Sequence, residues 1–84
     1  MPNRIRIDVL PIQEIVATAS PRAWRDGVVT HREQGVLTVA LLDGGWRTLA
    51  TRADLAVGEP VAVHPVAELV AAGAAWYAAR PVEA

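Results

Sequence analysis

Residues 27–51 read GVVTHREQGVLTVALLDGGWRTLAT, and this stretch decides the fold class. Val28 to His31 has the β-branched density of a strand. Arg32-Glu33-Gln34-Gly35 follows as a turn whose glycine tolerates positive φ. Val36 to Leu42 is apolar on both faces, the pattern of a central strand covered on two sides. Asp43-Gly44-Gly45 is a strong hairpin signal, because Asp-Gly and Gly-Gly accept the positive φ of primed turns. Trp46 to Thr51 then returns as the partner strand. Three strands joined by two tight turns predict an antiparallel sheet.

Downstream, Ala53 to Gly58 reads as a short turn or 3-10 segment, and Val61 to His64 as a last short strand after Pro60. Residues 65–79 predict a C-terminal helix. Pro65 suits the first helical position, where its missing N–H would be unpaired anyway, and Pro81 stops the run. Val66, Leu69, Val70, Trp76 and Tyr77 share one stripe with Gly73 at helical spacing and are expected in the core. The other side offers Ala67, Ala71, Ala74, Ala75 and Ala78, with Glu68 nearly its only charge. A helix apolar all round is normally covered on more than one side. Ala71, Ala74, Ala75 and Ala78 are therefore the expected partner interface. About fifteen helical residues fall short of the ~20 that a bilayer span requires, so no membrane is expected.

Upstream, Ile5, Ile7 and Val9 alternate with Arg4, Arg6 and Asp8. The period of two predicts an extended strand or arm over residues 1–11, ended by Pro11. Such an arm is suited to pair with a neighbouring sheet edge, which puts Ile5 and Ile7 in the interface. Ile12 to Ala19 suits either a short helix, with Ile12, Ile15 and Val16 on one face, or a strand. Ser20-Pro21 ends it. The loop that follows carries Trp24, which either meets a partner or caps the end of the barrel. Residues 1–84 thus read as one domain, mainly β with a C-terminal helix. Its core at 27–64 is a small OB-like or SH3-like β-barrel of about five strands.

The apolar share is 52%, but it comes mostly from Ala and Val, with no Phe and one Met. A chain this short buries only roughly 60–65% of its unfolded surface. A thin core of small residues favours burial against another subunit. Cysteine is absent, which excludes disulfide scaffolds, thiolate nucleophiles and Cys-based zinc sites. Secreted domains of this size usually carry such staples, so a cytoplasmic or particle-associated setting is expected. The first eleven residues also lack the apolar region of a signal peptide. All eight basic residues are Arg, and the formal net charge is −1. Residues 20–52 hold five arginines against three acids, and residues 53–84 hold one against four. That balance lacks the basic excess of duplex DNA binders.

Chemistry has few candidates. His64 and Glu68 stand at i and i+4, a spacing that can present two ligands to one metal. The preferred reading places His64 near the predicted helix start and Glu68 at the positive end of its dipole. His31 sits at a solvated hairpin end. Ser20, the one serine, lacks a Gly-x-Ser-x-Gly elbow. Gly44-Gly45-Trp46-Arg47-Thr48 lacks the long loop and the lysine that cradle phosphates. No catalytic, metal or cofactor site is expected, and the chain does not read as an enzyme. Two Trp-Arg pairs remain, Trp24-Arg25 and Trp46-Arg47. Exposed, the tryptophans stack on nucleobases while Arg25, Arg47 and Arg52 meet phosphates of a single strand. The favoured alternative turns Trp46 inward with Thr48 and Ala50 and gives Arg47 to solvent with Thr51. In a chain without Phe, the tryptophans are the large core fillers. An exposed Trp beside Arg also suits a protein–protein hot spot.

Residues 27–67 resemble the small oligomer-forming barrel domain known as TOBE, found in molybdate-binding proteins and at the ends of transporter ATPases. The segments that carry this are GVVTHREQGVLTVALLDGG and LATRADLAVGEPVAVHPVA. They repeat the family's rhythm of strand, Gly turn, long strand and Gly-Gly turn. A Thr-Arg segment, a Gly-Glu-Pro turn and an alternating Val strand follow. The resemblance implies binding of a small oxyanion, with Thr51 and Arg52 as the contacts. His64-Pro65 stands where the family usually has a Lys-Ala or similar pair.

The leading expectation is a non-enzymatic assembly module. It would dock into a homo-oligomer or a larger particle, such as a virion, through the alanine face and the N-terminal strand. A TOBE-like anion binder and a single-stranded nucleic-acid binder are the alternatives.

Overall fold

A computed structural model describes residues 4–82. Its strands are β1 (Ile5–Ile7), β2 (Arg25–Glu33), β3 (Val36–Leu41), β4 (Trp46–Thr51), β5 (Pro60–His64), β6 (Leu69–Ala72) and β7 (Ala75–Pro81). One α-helix, α1 (Pro11–Ala19), and a 3-10 turn at Pro21–Ala23 join β1 to β2. The sheet order is β1-β7-β4-β3-β2-β5-β6, and β6 pairs back onto β7. Strands β2 to β7 therefore close into a six-stranded barrel, antiparallel at every step. β1 is added outside the closure, parallel to the first half of β7.

The hairpins of residues 27–51 form as expected, with Gly44 and Gly45 both at positive φ in the turn. Gly27 is required for a different reason. A Cβ there would lie 2.6 Å from the Ala40 carbonyl oxygen and from the Val39 side chain, closer than atoms can pack. The bare backbone lets β2 press against β3. Two residues on, a bulge between Val29 and His31 shifts the register against β3, and the extra residue bends the strand toward closure. Val29, Leu37, Val39, Leu41, Leu49, Val61, Val63, Val70 and Ala79 pack inside.

Expectations for individual elements need correction. Residues 53–58 are neither turn nor 3-10 throughout. The period of two runs on past β4, so that Thr51, Ala53 and Leu55 are all buried and this extended segment plugs the barrel. Of the N-terminal arm, residues 1–3 lie outside the described residues, and Ile5 and Ile7 pair with Ala75 and Tyr77 of the same chain, which leaves β1 as the edge of the sheet. Ile12 to Ala19 resolves as helix. Pro11 opens it, the Gln13 side chain accepts the Leu10 N–H at 2.8 Å, and Ser20 N–H closes it on Val16 O.

The largest correction concerns residues 65–79, which form no helix. Residues 65–68 are a turn, and β6 and β7 form a hairpin through Gly73-Ala74, with Ala72 paired to Ala75. Gly73 has φ +59°, which a two-residue hairpin loop demands and a helix interior forbids. The alanines favour helix locally, but propensity yields to tertiary closure. The ladder that β6 and β7 make is the seam of the barrel. The His64 ring shapes the turn before it. Ala67 N–H donates to Nδ1 at 3.0 Å, and the Nε2–H donates to Ser20 O at 2.9 Å. Of the five expected core residues in this segment, Leu69 and Val70 are fully buried. Trp76 and Tyr77 are half-buried, and Val66 lies exposed on the turn.

Candidate functional site

Strand register settles which way β4 faces. Directly opposed residues of an antiparallel pair share a face. Leu49 pairs with Leu37 and Arg47 with Val39, while Trp46 pairs with Ala40. Leu37, Val39 and Leu49 are interior, so Arg47 stands on the inward parity at the end of β4 and Trp46 points out, 64% exposed. This reverses the expected assignment. The inward face of β4 is Arg47, Leu49 and Thr51, and Trp46 fills no core.

Trp24 packs against the outside of the barrel wall. Its ring meets the His64 ring edge-on at 5.0 Å and the Trp76 ring at 5.1 Å. It joins a second small core in which Ala17, Ala67 and Leu69 pack with Val9, Val16 and Trp76. Arg6 lies 4.0 Å over the Trp76 ring and donates to Glu14 Oε1 at 3.1 Å and to Ala74 O at 3.1 Å. Gln13 Nε2 donates to Ala67 O at 3.0 Å. These contacts hold α1 against the outer face of the β6–β7 hairpin. In this segment the helix packs with Ala67, Leu69 and Trp76, none of them among the four alanines expected to meet a partner.

The four alanines do not form one face. Ala75 is buried on the inward parity with Tyr77, Ala74 is exposed in the hairpin loop, and Ala71 and Ala78 are half-buried on the outer side. A spacing of two separates residues that a helix would have gathered.

The arginines proposed for anion or nucleic-acid contact are also dispersed. Arg25 is engaged by Asp43 in a two-pronged pair, Nε to Oδ2 at 3.0 Å and Nη2 to Oδ1 at 2.8 Å. That hydrogen bonding raises the guanidinium's affinity for its proton and holds the Asp43 carboxyl below its ordinary value. Arg52 is exposed and reaches Asp8 at 3.4 Å. Thr51 is buried, and its Oγ1 accepts the Ala53 N–H at 3.2 Å. Thr51 and Arg52 line an open groove of about 670 Å³, with Ala50 and Ala78 among its small residues and Asp8, Glu68 and Arg80 among its charged ones. The nucleic-acid reading needs Trp24 and Arg47 on one exposed face, and the structure puts Trp24 in the small core outside the barrel wall and Arg47 on the inner parity.

No hydroxyl or thiol is paired with a base among the described residues. Both ring nitrogens of His64 are taken by backbone groups, and His31 Nε2 meets Glu33 Oε1 at 3.1 Å on the surface. His64 and Glu68 fall on a turn rather than a helix, with the imidazole buried and the carboxyl-bearing residue exposed. Among the described residues no group of three or more His, Cys, Asp or Glu side chains is placed to hold a metal ion. No helix among the described residues is long and apolar enough to cross a membrane.

The sequence left α1 open between helix and strand, and as a helix it put Ile12, Ile15 and Val16 on one face, which the structure divides. Val16 and Ala17 face the barrel. Ile12 and Ile15, three apart and therefore on one stripe, point away at 59% and 63% exposure, next to exposed Leu10. Their periodicity was visible in the sequence, but it could not be assigned to outside or inside while the element type stayed open.

No protein-family model, no curated protein and no solved structure matches this chain. Its own topology defines a class of fold, a small closed antiparallel β-barrel consistent with the OB-like kind, extended by one parallel strand and capped by a helix.

Proposed function

We propose that the chain is a non-enzymatic docking module, which enters a homo-oligomer or a larger particle through its N-terminal helix. The carrying observation is that α1 is apolar on two sides. One side is consumed by Trp76 and Leu69, and the other presents Ile12 and Ile15 to solvent. An apolar helix face is normally covered, and large exposed side chains grouped together mark contact sites. The docking surface thus moves from the alanine segment to the helix packed against it. Light scattering at micromolar concentration, with and without material that co-purifies, tests the reading. Association that disappears in a folded Ile12→Lys/Ile15→Lys variant supports it. A wild-type chain that stays monomeric and captures nothing overturns it.

A TOBE-like anion binder is the second reading, favoured by one observation. Arg52 and Arg80 line the same open groove as Thr51. Calorimetry with molybdate, tungstate and sulfate separates the two, since the docking reading expects no heat.

A further inference from the structure

The barrel seam is incomplete. The β6–β7 ladder ends at the Leu69–Ala78 pair; beyond it Ala79 N–H still donates to Glu68 O at 2.9 Å, and Arg80 and Pro81 pair with β4. β5 stops at His64. Between the end of β5 and the last turn of β7 lies a slot of about 160 Å³, reaching Leu49, Val63 and Ala79 and flanked by Pro65 and Pro81. Prolines on this rim carry no N–H, so they leave no donor unpaired where the ladder is missing.

The walls say what fits. Leu49, Val63 and Ala79 are buried apolar side chains, and an apolar cavity of roughly 150 Å³ stays dry and accepts a molecule of benzene size. Two charged residues meet the slot, Arg47 and Glu68. Glu68 is exposed on the turn, whereas Arg47 is half-buried on the same inward face as Leu49. The charge that shares the inward parity of the apolar walls is therefore the cation. Guanidinium and carboxylate form short, directional, charge-assisted pairs.

We propose that this slot binds a small aromatic or branched aliphatic carboxylate. The apolar body rests on Leu49, Val63 and Ala79, and the carboxylate accepts hydrogen bonds from the Arg47 guanidinium. The inference is independent of the docking surface on α1.

The probe is benzoate, titrated into the isotopically labelled full chain and followed by amide and methyl resonances, with benzene in a parallel series. Saturable shifts at Leu49, Val63 and Ala79 are expected with both. Arg47→Leu should weaken benzoate about tenfold and leave benzene unchanged. Ala79→Leu fills the slot and should abolish both, and Val63→Ile serves if that variant does not fold. The proposal is overturned by a folded wild-type chain without saturable shifts at these residues. It is equally overturned by benzoate binding that survives Arg47→Leu at full strength, or by shifts that persist in a folded filled variant.

Discussion

The β3–β4 hairpin and the β6–β7 hairpin are the same kind of object, and only one of them announces itself. Both are antiparallel pairs joined by a glycine turn, and both line one barrel. Along β3, buried residues alternate with half-buried ones, because its outer face meets solvent. Along β6, Leu69 and Val70 are both fully buried, since Val70 faces the barrel and Leu69 faces α1. β3 hides its wet face as well, since residues 36–42 are apolar at nearly every position and were expected to be covered on two sides, but the Asp43-Gly44-Gly45 turn declares its hairpin. A strand covered on both faces writes only hydrophobicity, and in alanine that is also the language of helices.

The sharpest way to break the comparison is to charge both interiors. Val39→Asp and Val70→Asp each place an unpaired carboxylate in the barrel and should each cost more than about 4 kcal/mol. Urea unfolding followed by circular dichroism checks this. A tolerated Val70→Asp alongside an unfolded Val39→Asp would show that the β6–β7 seam does not close the core.

Next comes a pair of adjacent substitutions. Ala75 is buried on the inward parity and Ala74 is an exposed loop residue. Ala75→Lys should destabilise by about 2–3 kcal/mol, while Ala74→Lys stays within about 0.5 kcal/mol of wild type. Equal effects in thermal unfolding would favour a helix over a hairpin.

A smaller effect is expected at the turn itself. Gly73→Ala meets no atom within 4 Å but must hold φ +59°, a left-handed conformation that costs about 1 kcal/mol for alanine. The change in urea midpoint measures it.

The smallest effect concerns the β3–β4 turn, which Arg25 ties to the start of β2 through Asp43. Because the folded state lowers the Asp43 pKa, the pair's contribution is complete above the ordinary carboxylate range. It fades as the pH falls through the lowered value. Asp43→Asn should therefore unfold with a shallower dependence on acid, read from urea midpoints between neutral and acid pH.

Strands β2 to β5 were legible because turn chemistry brackets them: Gln34-Gly35, Asp43-Gly44-Gly45 and Gly58-Glu59-Pro60. The orientation of β4 was not. Residues 36–42 are apolar at nearly every position, so they could not say whether Trp46 or Arg47 faces in. The hydrogen-bond register supplies that, through the pairing of Arg47 with Val39. The absence of Phe pointed toward Trp46 as core filler, yet Trp24 and Trp76 take that part instead, together and outside the barrel wall. Of the candidate contact residues, Arg52 is exposed as the anion reading requires, and Arg25 is held by a partner 18 positions along the chain that spacing alone does not nominate. The slot beside Pro81 was invisible for a simpler reason. Leu49, Val63 and Ala79 look alike in sequence whether they meet one another or a gap.

β7 touches β1 with its first half, β6 along the same stretch and β4 with its second half. Every other ladder can zip as soon as its neighbour emerges from the ribosome, but the cylinder stays open until Ala75–Pro81 has been synthesised. Nascent chains should remain sensitive to protease until then. Closure should be slow for a barrel this small, since its decisive contacts join distant positions in the chain.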